Sequence, residues 1–306
     1  MSVSSALHPR TLPDARAVLV LLKPITWFPP MWAYLCGVVS AGGFAAGMDA
    51  GQIAMVALGI VLAGPIVCGM SQAANDWCDR HVDAVNEPHR PIPSGRVPGR
   101  WGLWIALAMS GAALGVGWLL GPWGFGATVV AVIAAWAYSA EPVRLKRSGW
   151  WGPGLVGLCY EGLPWFTGAA VVAAGAPRFE VVATAALYAF GAHGIMTLND
   201  FKALEGDRVH GVRSLPVTLG PEVAAKIACI VMVLAQLLVV SMLIVWGRPL
   251  HAGAVAVLIA AQIAAMRVLM RDPRGRAPWY NGTGVVLYVA GMMVSAFALA
   301  SLPVRP

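Results

Sequence analysis

Three observations predict an all-α membrane protein. The chain is 58% hydrophobic and only 11% charged, whereas about a quarter of a soluble domain's residues carry charge. Apolar runs of about 20 residues, enough to cross a bilayer, recur near 18–40, 52–74, 102–120, 123–140, 151–173, 180–198, 222–246, 251–269 and 283–303, which makes nine predicted spans. With the amino terminus assigned to the cytoplasm, eighteen lysines and arginines fall inside and only Arg178, Arg248 and Arg305 outside, a strong positive-inside bias. The net charge of +7 is therefore mostly topology, and nucleic acid is not an expected partner.

Residues 1–17 contain Arg10 and Arg16 but no cleavable apolar core, so a cytoplasmic segment is expected there and no signal peptide. The first span opens at LLKPITWFPP, where Lys23 either snorkels to the interface or reaches an anion bound at that depth. The second span leads into NDWCDRHVDAVNEPHRPIPSGR. Seven of the chain's fourteen acids lie here (Asp76, Asp79, Asp83, Glu87) or in a later stretch, NDFKALEGDR (Asp200, Glu205, Asp207). On a helix, the first four fall at i, i+3, i+7 and i+11, along one face. Like charges so placed need a cation, and hard oxygen donors suit Mg²⁺. Such a cation would attract a phosphate-bearing substrate.

Pro88, Pro91 and Pro93 stop the helix, and 76–101 is expected as a cytoplasmic acidic loop in which Arg90 and Arg96 either hold the helix end or contact phosphate. The fourth span runs into WAYSAEPVRLKRSGWWG, where Arg144, Lys146 and Arg147 are either a topology signal or, with Tyr138, an anion clamp. Glu161 stands within the fifth span, where an ionisable group implies function unless Pro164 and nearby glycines bring it close to an interface. In the sixth span, His193, Thr197 and Asp200 share a face at i, i+4 and i+7, so His193 is either a bundle residue or a substrate contact. The segment 200–221 is a second expected acidic loop. The pairs Asn75-Asp76 and Asn199-Asp200 each end the second span of a four-span block. An internal duplication follows: two four-helix halves plus a ninth helix, with the acids facing each other over a central cavity. Cys36, Cys68, Cys78, Cys159 and Cys229 show no Cys-x-x-Cys spacing and read as small packing residues.

These acidic stretches resemble the UbiA-type membrane prenyltransferase family, whose first signature, Asn-Asp-x-x-Asp-x-x-x-Asp, is matched by Asn75, Asp76, Asp79 and Asp83. The longer run, with NDFKALEGDR and SLPVTLG, is similar to the chlorophyll synthase branch over almost the whole chain. One position departs: many members have Asp-x-Glu-Gly-Asp where this chain has Ala203-Leu204-Glu205-Gly206-Asp207, and Asp200 is the replacement ligand the resemblance suggests. The resemblance implies one transmembrane prenyltransferase domain over 1–306, in the cytoplasmic or intracytoplasmic membrane of a phototrophic bacterium. It implies Mg²⁺ held by Asn75, Asp76, Asp79 and Asp83 on one side and by Asp200, Glu205 and Asp207 on the other. These ions bridge an isoprenoid diphosphate, with Lys23, Arg80, Arg90, Tyr138, Arg144, Lys146, Arg147, Lys202 and Arg208 as candidates to contact it. The implied reaction transfers a geranylgeranyl or phytyl group to the propionate of a bacteriochlorophyllide-type tetrapyrrole, with Glu161 and His193 as candidate macrocycle contacts. Rival expectations are chlorophyllide, a quinone precursor or haem as acceptor, and, from another class, a transporter or pigment carrier, whose acids belong at mid-bilayer.

Overall fold

The computed structural model describes residues 12–44, 47–209 and 211–303; Arg10 and Arg305 lie outside them. Helices account for the described architecture, and its one β contact is an isolated bridge between Ser148 and Arg213. The elements in order are α1 (Ala15–Leu22), α2 (Phe28–Ser40), α3 (Ala50–Val61), α4 (Gly69–Asn86), α5 (Trp101–Leu119), α6 (Gly121–Ser139), α7 (Trp151–Gly157), α8 (Leu163–Ala173), α9 (Phe179–Asn199), α10 (Leu204–Val209), α11 (Leu215–Leu219), α12 (Pro221–Val245), α13 (Pro249–Leu269), α14 (Pro273–Asn281) and α15 (Gly284–Ala300).

Among the described residues eight helices are long and apolar enough to cross a membrane; a bent pair makes up to nine. That pair is the expected first span. It is not one helix: Lys23 adopts φ 47°, Pro24 follows, and Ala15–Thr26 meets Phe28–Ser40 at 53°. A left-handed residue followed by a proline cannot propagate the helical hydrogen-bond ladder.

Two other spans continue through wider turns. Pro65 lies in the π-helical stretch Leu62–Cys68 that joins α3 to α4, and Leu158–Gly162 joins α7 to α8 the same way just before Pro164. A proline lacks the N–H that the ladder needs, and a π turn absorbs the mismatch. The span from Ala50 runs unbroken to Asn86, so the first eleven residues of the expected loop 76–101 are helix. The second expected loop is likewise partly helical, holding α10 and α11.

α9 is the central staff. Its most apolar stretch is 67% buried, more than that of any other span, and it packs against α7, α8, α12 and α15. Trp165, Tyr188 and Tyr288 form the aromatic centre of the core, with ring separations of 5.6 Å and 5.3 Å. Small residues set the helix spacing. A Cβ on Gly168 would lie 2.1 Å from the Tyr34 carbonyl oxygen, and one on Gly37 would lie 2.0 Å from that of Trp165, so α2 and α8 touch backbone to backbone.

Candidate active site

Where α4, α6 and α9 end on the same side of the bundle, they enclose a cavity of about 700 Å³. α4 contributes Gln72, Asn75, Asp79 and Asp83, and the segment after α9 contributes Asp200, Lys202 and Asp207. Tyr138, Arg144, Lys146 and Arg147 close a third side. Deeper in, the walls are Ala131, Ala134, Ala135, Leu155 and Val156. The site is thus charged at its mouth and apolar below.

The cations are already paired with the acids. Lys146 bonds Asp79, and its Nζ donates to Asn75 Oδ1 at 3.0 Å; Arg144 Nη2 donates to the other Asp79 oxygen at 2.7 Å. Burial pushes the Lys146 pKa down, against the attraction of Asp79. Lys23 reaches Asp76 at 2.8 Å, and Arg90 spans Asp76, Asp83 and Glu87. The described chain has three non-glycine residues at positive φ, and two of them are Lys23 (47°) and Arg144 (38°). Each such residue costs on the order of 1 kcal/mol or more, and here each turns a cation onto an acid of α4.

Backbone pairing fixes the clamp loop to the second acidic segment. Arg213 N donates to Arg147 O, and Gly149 N to Arg213 O, both at 2.9 Å. Ser214 Oγ, one residue on, donates to Asp207 Oδ2 at 2.7 Å.

Several expected residues stand elsewhere. The four carboxylates from Asp76 to Glu87 do not share one stripe: the cavity takes Asp79, Asp83 and Glu87, which follow Asn75 at i+4, i+8 and i+12. Asp76 is turned about 100° from Asn75 on the helix and is buried at 2% exposure between Lys23 and Arg90. Arg80 stacks over Trp77 at 4.0 Å and caps that residue's carbonyl. Glu205 faces outward to Arg274 at 2.8 Å. Arg208 is exposed on α10 and is not in the cavity wall. Glu161 and His193, the candidate tetrapyrrole contacts, are both buried and line no part of the cavity. Glu161 is carried behind the wall by the π turn, and the His193 ring lies against Trp150 at 5.5 Å.

Other cavity residues are not among the expected site residues: Tyr160, Ser214 and Asn199 line it, as does Gln72, which helical spacing alone puts on the acidic face of α4. The repeated Asn-Asp pair was the available signal for Asn199. Nothing in CYEG distinguishes Tyr160 from its neighbours, because the π turn decides which of them faces inward.

No three of the described His, Cys, Asp and Glu side chains converge into a ready metal cage. The donors at the mouth nevertheless fit magnesium: Asn75, Asp79, Asp83, Asp200 and Asp207 offer hard oxygens around one opening. Mg²⁺ is ordinarily held by one or two carboxylates plus waters and substrate phosphate rather than by an all-protein cage.

The sequence pattern of the UbiA prenyltransferase family matches residues 27–291. The chain belongs to that family. It is 71% identical over 306 residues, all of both chains, to the bacteriochlorophyll synthase 33 kDa chain of Cereibacter sphaeroides. Against the chlorophyll synthase of Oryza sativa subsp. japonica the identity is 35% over 288 residues, 92% of this chain and 76% of that one. Among solved structures, a UbiA homolog from Archaeoglobus fulgidus bound to GPP and Mg²⁺ superposes with a TM-score of 0.65 at 21% identity, covering 93% of this chain and 99% of that one. That last likeness carries the fold.

Proposed function

We propose that this membrane protein transfers a prenyl group from its diphosphate to the propionate carboxylate of bacteriochlorophyllide, releasing diphosphate. The acceptor follows from the end-to-end likeness to bacteriochlorophyll synthases. The site observation that carries the chemistry is the meeting of two acidic segments, distant in sequence, around one cavity whose lower walls are apolar. A geranylgeranyl or phytyl tail suits those walls, and the diphosphate suits the mouth.

Asn75, Asp79, Asp83, Asp200 and Asp207 would hold magnesium. When bound, the metal supplies Lewis-acid polarisation of the diphosphate oxygens. Arg144 and Lys146, bonded to Asp79, stabilise the negative charge that grows on the leaving oxygen as the allylic carbon–oxygen bond breaks. The apolar walls keep water from the allylic carbon, so hydrolysis does not compete. The acceptor carboxylate, whose ordinary pKa is about 4.3, is ionised near pH 7 and needs no general base. Arg147, Lys202 and Tyr138, also in the wall, complete the set of diphosphate contacts. Lys23 and Arg90 act one step back, by fixing Asp76 and Asp83.

A transporter reading suits acids at mid-bilayer, whereas these stand at the ends of α4 and α9. The positive-inside bias supports a cytoplasmic amino terminus and a cytoplasmic cavity mouth in the inner membrane of a phototrophic bacterium.

The test uses membranes holding the full chain, Mg²⁺, geranylgeranyl diphosphate and bacteriochlorophyllide, with the product read by mass. An esterified pigment is expected. Its absence, or transfer only to a quinone precursor or haem, would sink the assignment.

A further inference from the structure

Below the charged mouth, three residues that the reaction has not used meet across the cavity. Tyr160 Oη lies 3.3 Å from Cys68 Sγ and accepts from Gln72 Nε2 at 3.3 Å; all three line the cavity. Cys68 and Tyr160 come from the two π-helical stretches, a conformation that recurs at functional sites. Cys68 Sγ also contacts Thr26 Oγ1 at 3.3 Å, and Thr26 Oγ1 donates to the Lys23 carbonyl at 2.8 Å. The cluster therefore joins both π turns to the break in the first span.

Its chemistry differs from that of the mouth. The ion pairs of the site involve Lys23, Arg90, Arg144, Lys146 and Arg147, whereas Tyr160 and Gln72 are neutral donors. Their mutual contact is longer than an ordinary hydrogen bond, and a thiol is a weak acceptor, so the tyrosine proton has no strong acceptor in these contacts. The depth is also right. At about 1.5 Å per residue, Gln72 sits about 4–5 Å below Asn75 and about 10 Å below Asp79 along α4. A nucleophile approaches the allylic carbon on the side away from the departing diphosphate, so the reacting carboxylate must lie deeper than the phosphates.

We infer that Tyr160 and Gln72 bind the acceptor carboxylate of the pigment, holding it beneath the allylic carbon. This rests on the prenyl-transfer reading and adds the acceptor site to it. Neutral donors suit that role, because a lysine or arginine would pair with the carboxylate and reduce its nucleophilicity, whereas two hydrogen bonds orient it with its charge intact. In the transfer, one carboxylate oxygen forms the bond to the allylic carbon and the carbon–diphosphate bond breaks, its electron pair leaving with the diphosphate. No proton is released from an acceptor already ionised.

The experiment compares full-length wild type, Tyr160→Phe, Gln72→Leu and Gln72→Glu in membranes with Mg²⁺. It measures KM for bacteriochlorophyllide and for geranylgeranyl diphosphate, and inhibition by the pigment's methyl ester, which keeps the macrocycle but not the charge. Each variant is expected to raise the pigment-acid KM roughly tenfold, as losing a hydrogen bond to a charged group does. The near-isosteric Gln72→Glu should be the worst, because it repels the carboxylate. The geranylgeranyl diphosphate KM and the methyl ester's inhibition constant should change less than threefold. Equal loss of acid and ester binding would mean packing alone, and an unchanged acid KM would mean no contact; either overturns the inference while a working wild type leaves the reaction standing. A wild type that does not esterify the pigment overturns the reaction itself.

Discussion

Asp79 accepts from both Arg144 and Lys146, whereas Asp76, three residues earlier, is sealed between Lys23 and Arg90. The two therefore fail differently. Asp79→Asn should leave the fold intact and lower turnover by at least about a hundredfold, as removing one preorganised charge-stabilising group does; retained activity in a membrane assay would remove Asp79 from the chemistry. Asp76→Asn should instead lower folded yield, because Lys23 and Arg90 lose a buried partner. Arg80 and Arg144 make a second contrast. Arg144→Ala should raise the donor KM, whereas Arg80→Ala, which uncovers Trp77 and frees its carbonyl away from the cavity, should change turnover less than about twofold, as surface substitutions do. Chelation with EDTA should stop turnover and added Mg²⁺ restore it, since the donors are hard oxygens; activity that survives chelation would exclude the metal.

At the scale of the helix, the irregularities aim the side chains. α2 and α8 meet at Gly37 and Gly168, and a side chain at either would overlap a carbonyl of the partner helix. Gly168→Val should therefore cost at least about 2 kcal/mol, as overpacking does, and a lowered thermal midpoint in detergent is the check. The break after α1 and the two π stretches were not legible as such. Lys23-Pro24, Pro65 and Pro164 stood in the sequence as warnings, but a proline inside an apolar run marks a disturbance without specifying its form. A kink, a π turn and a helix end all accommodate the carbonyl that loses its N–H donor. The form decides that Cys68 and Tyr160 point into the cavity and Glu161 does not.

Across the whole molecule, the long helices return Asn75, Asn199 and Asp200 to one mouth, while Asp76 stays buried beside it. The orientation that the charge bias supports can be checked with single cysteines and an impermeant maleimide on right-side-out spheroplasts. Ala176→Cys should label from outside and Arg271→Cys only after the membrane is opened; the reverse pattern would invert the topology. If the mouth is cytoplasmic, water-soluble diphosphate leaves into the cytoplasm while the esterified pigment remains in the bilayer.

Composition, the apolar runs and the distribution of basic residues were enough for an all-helical membrane protein, because a bilayer admits few ways to satisfy a spanning backbone. The Asn-Asp motifs were enough for the family and for a set of candidate acids. Tertiary structure decided which of those acids face the cavity, that Glu205, Glu161 and His193 do not, and that Tyr160 and Gln72 do. The reason is rotational: each residue turns a helix by about 100°, so one bend or one π turn upstream reassigns every side chain beyond it, and only packing against neighbouring helices sets where those turns fall.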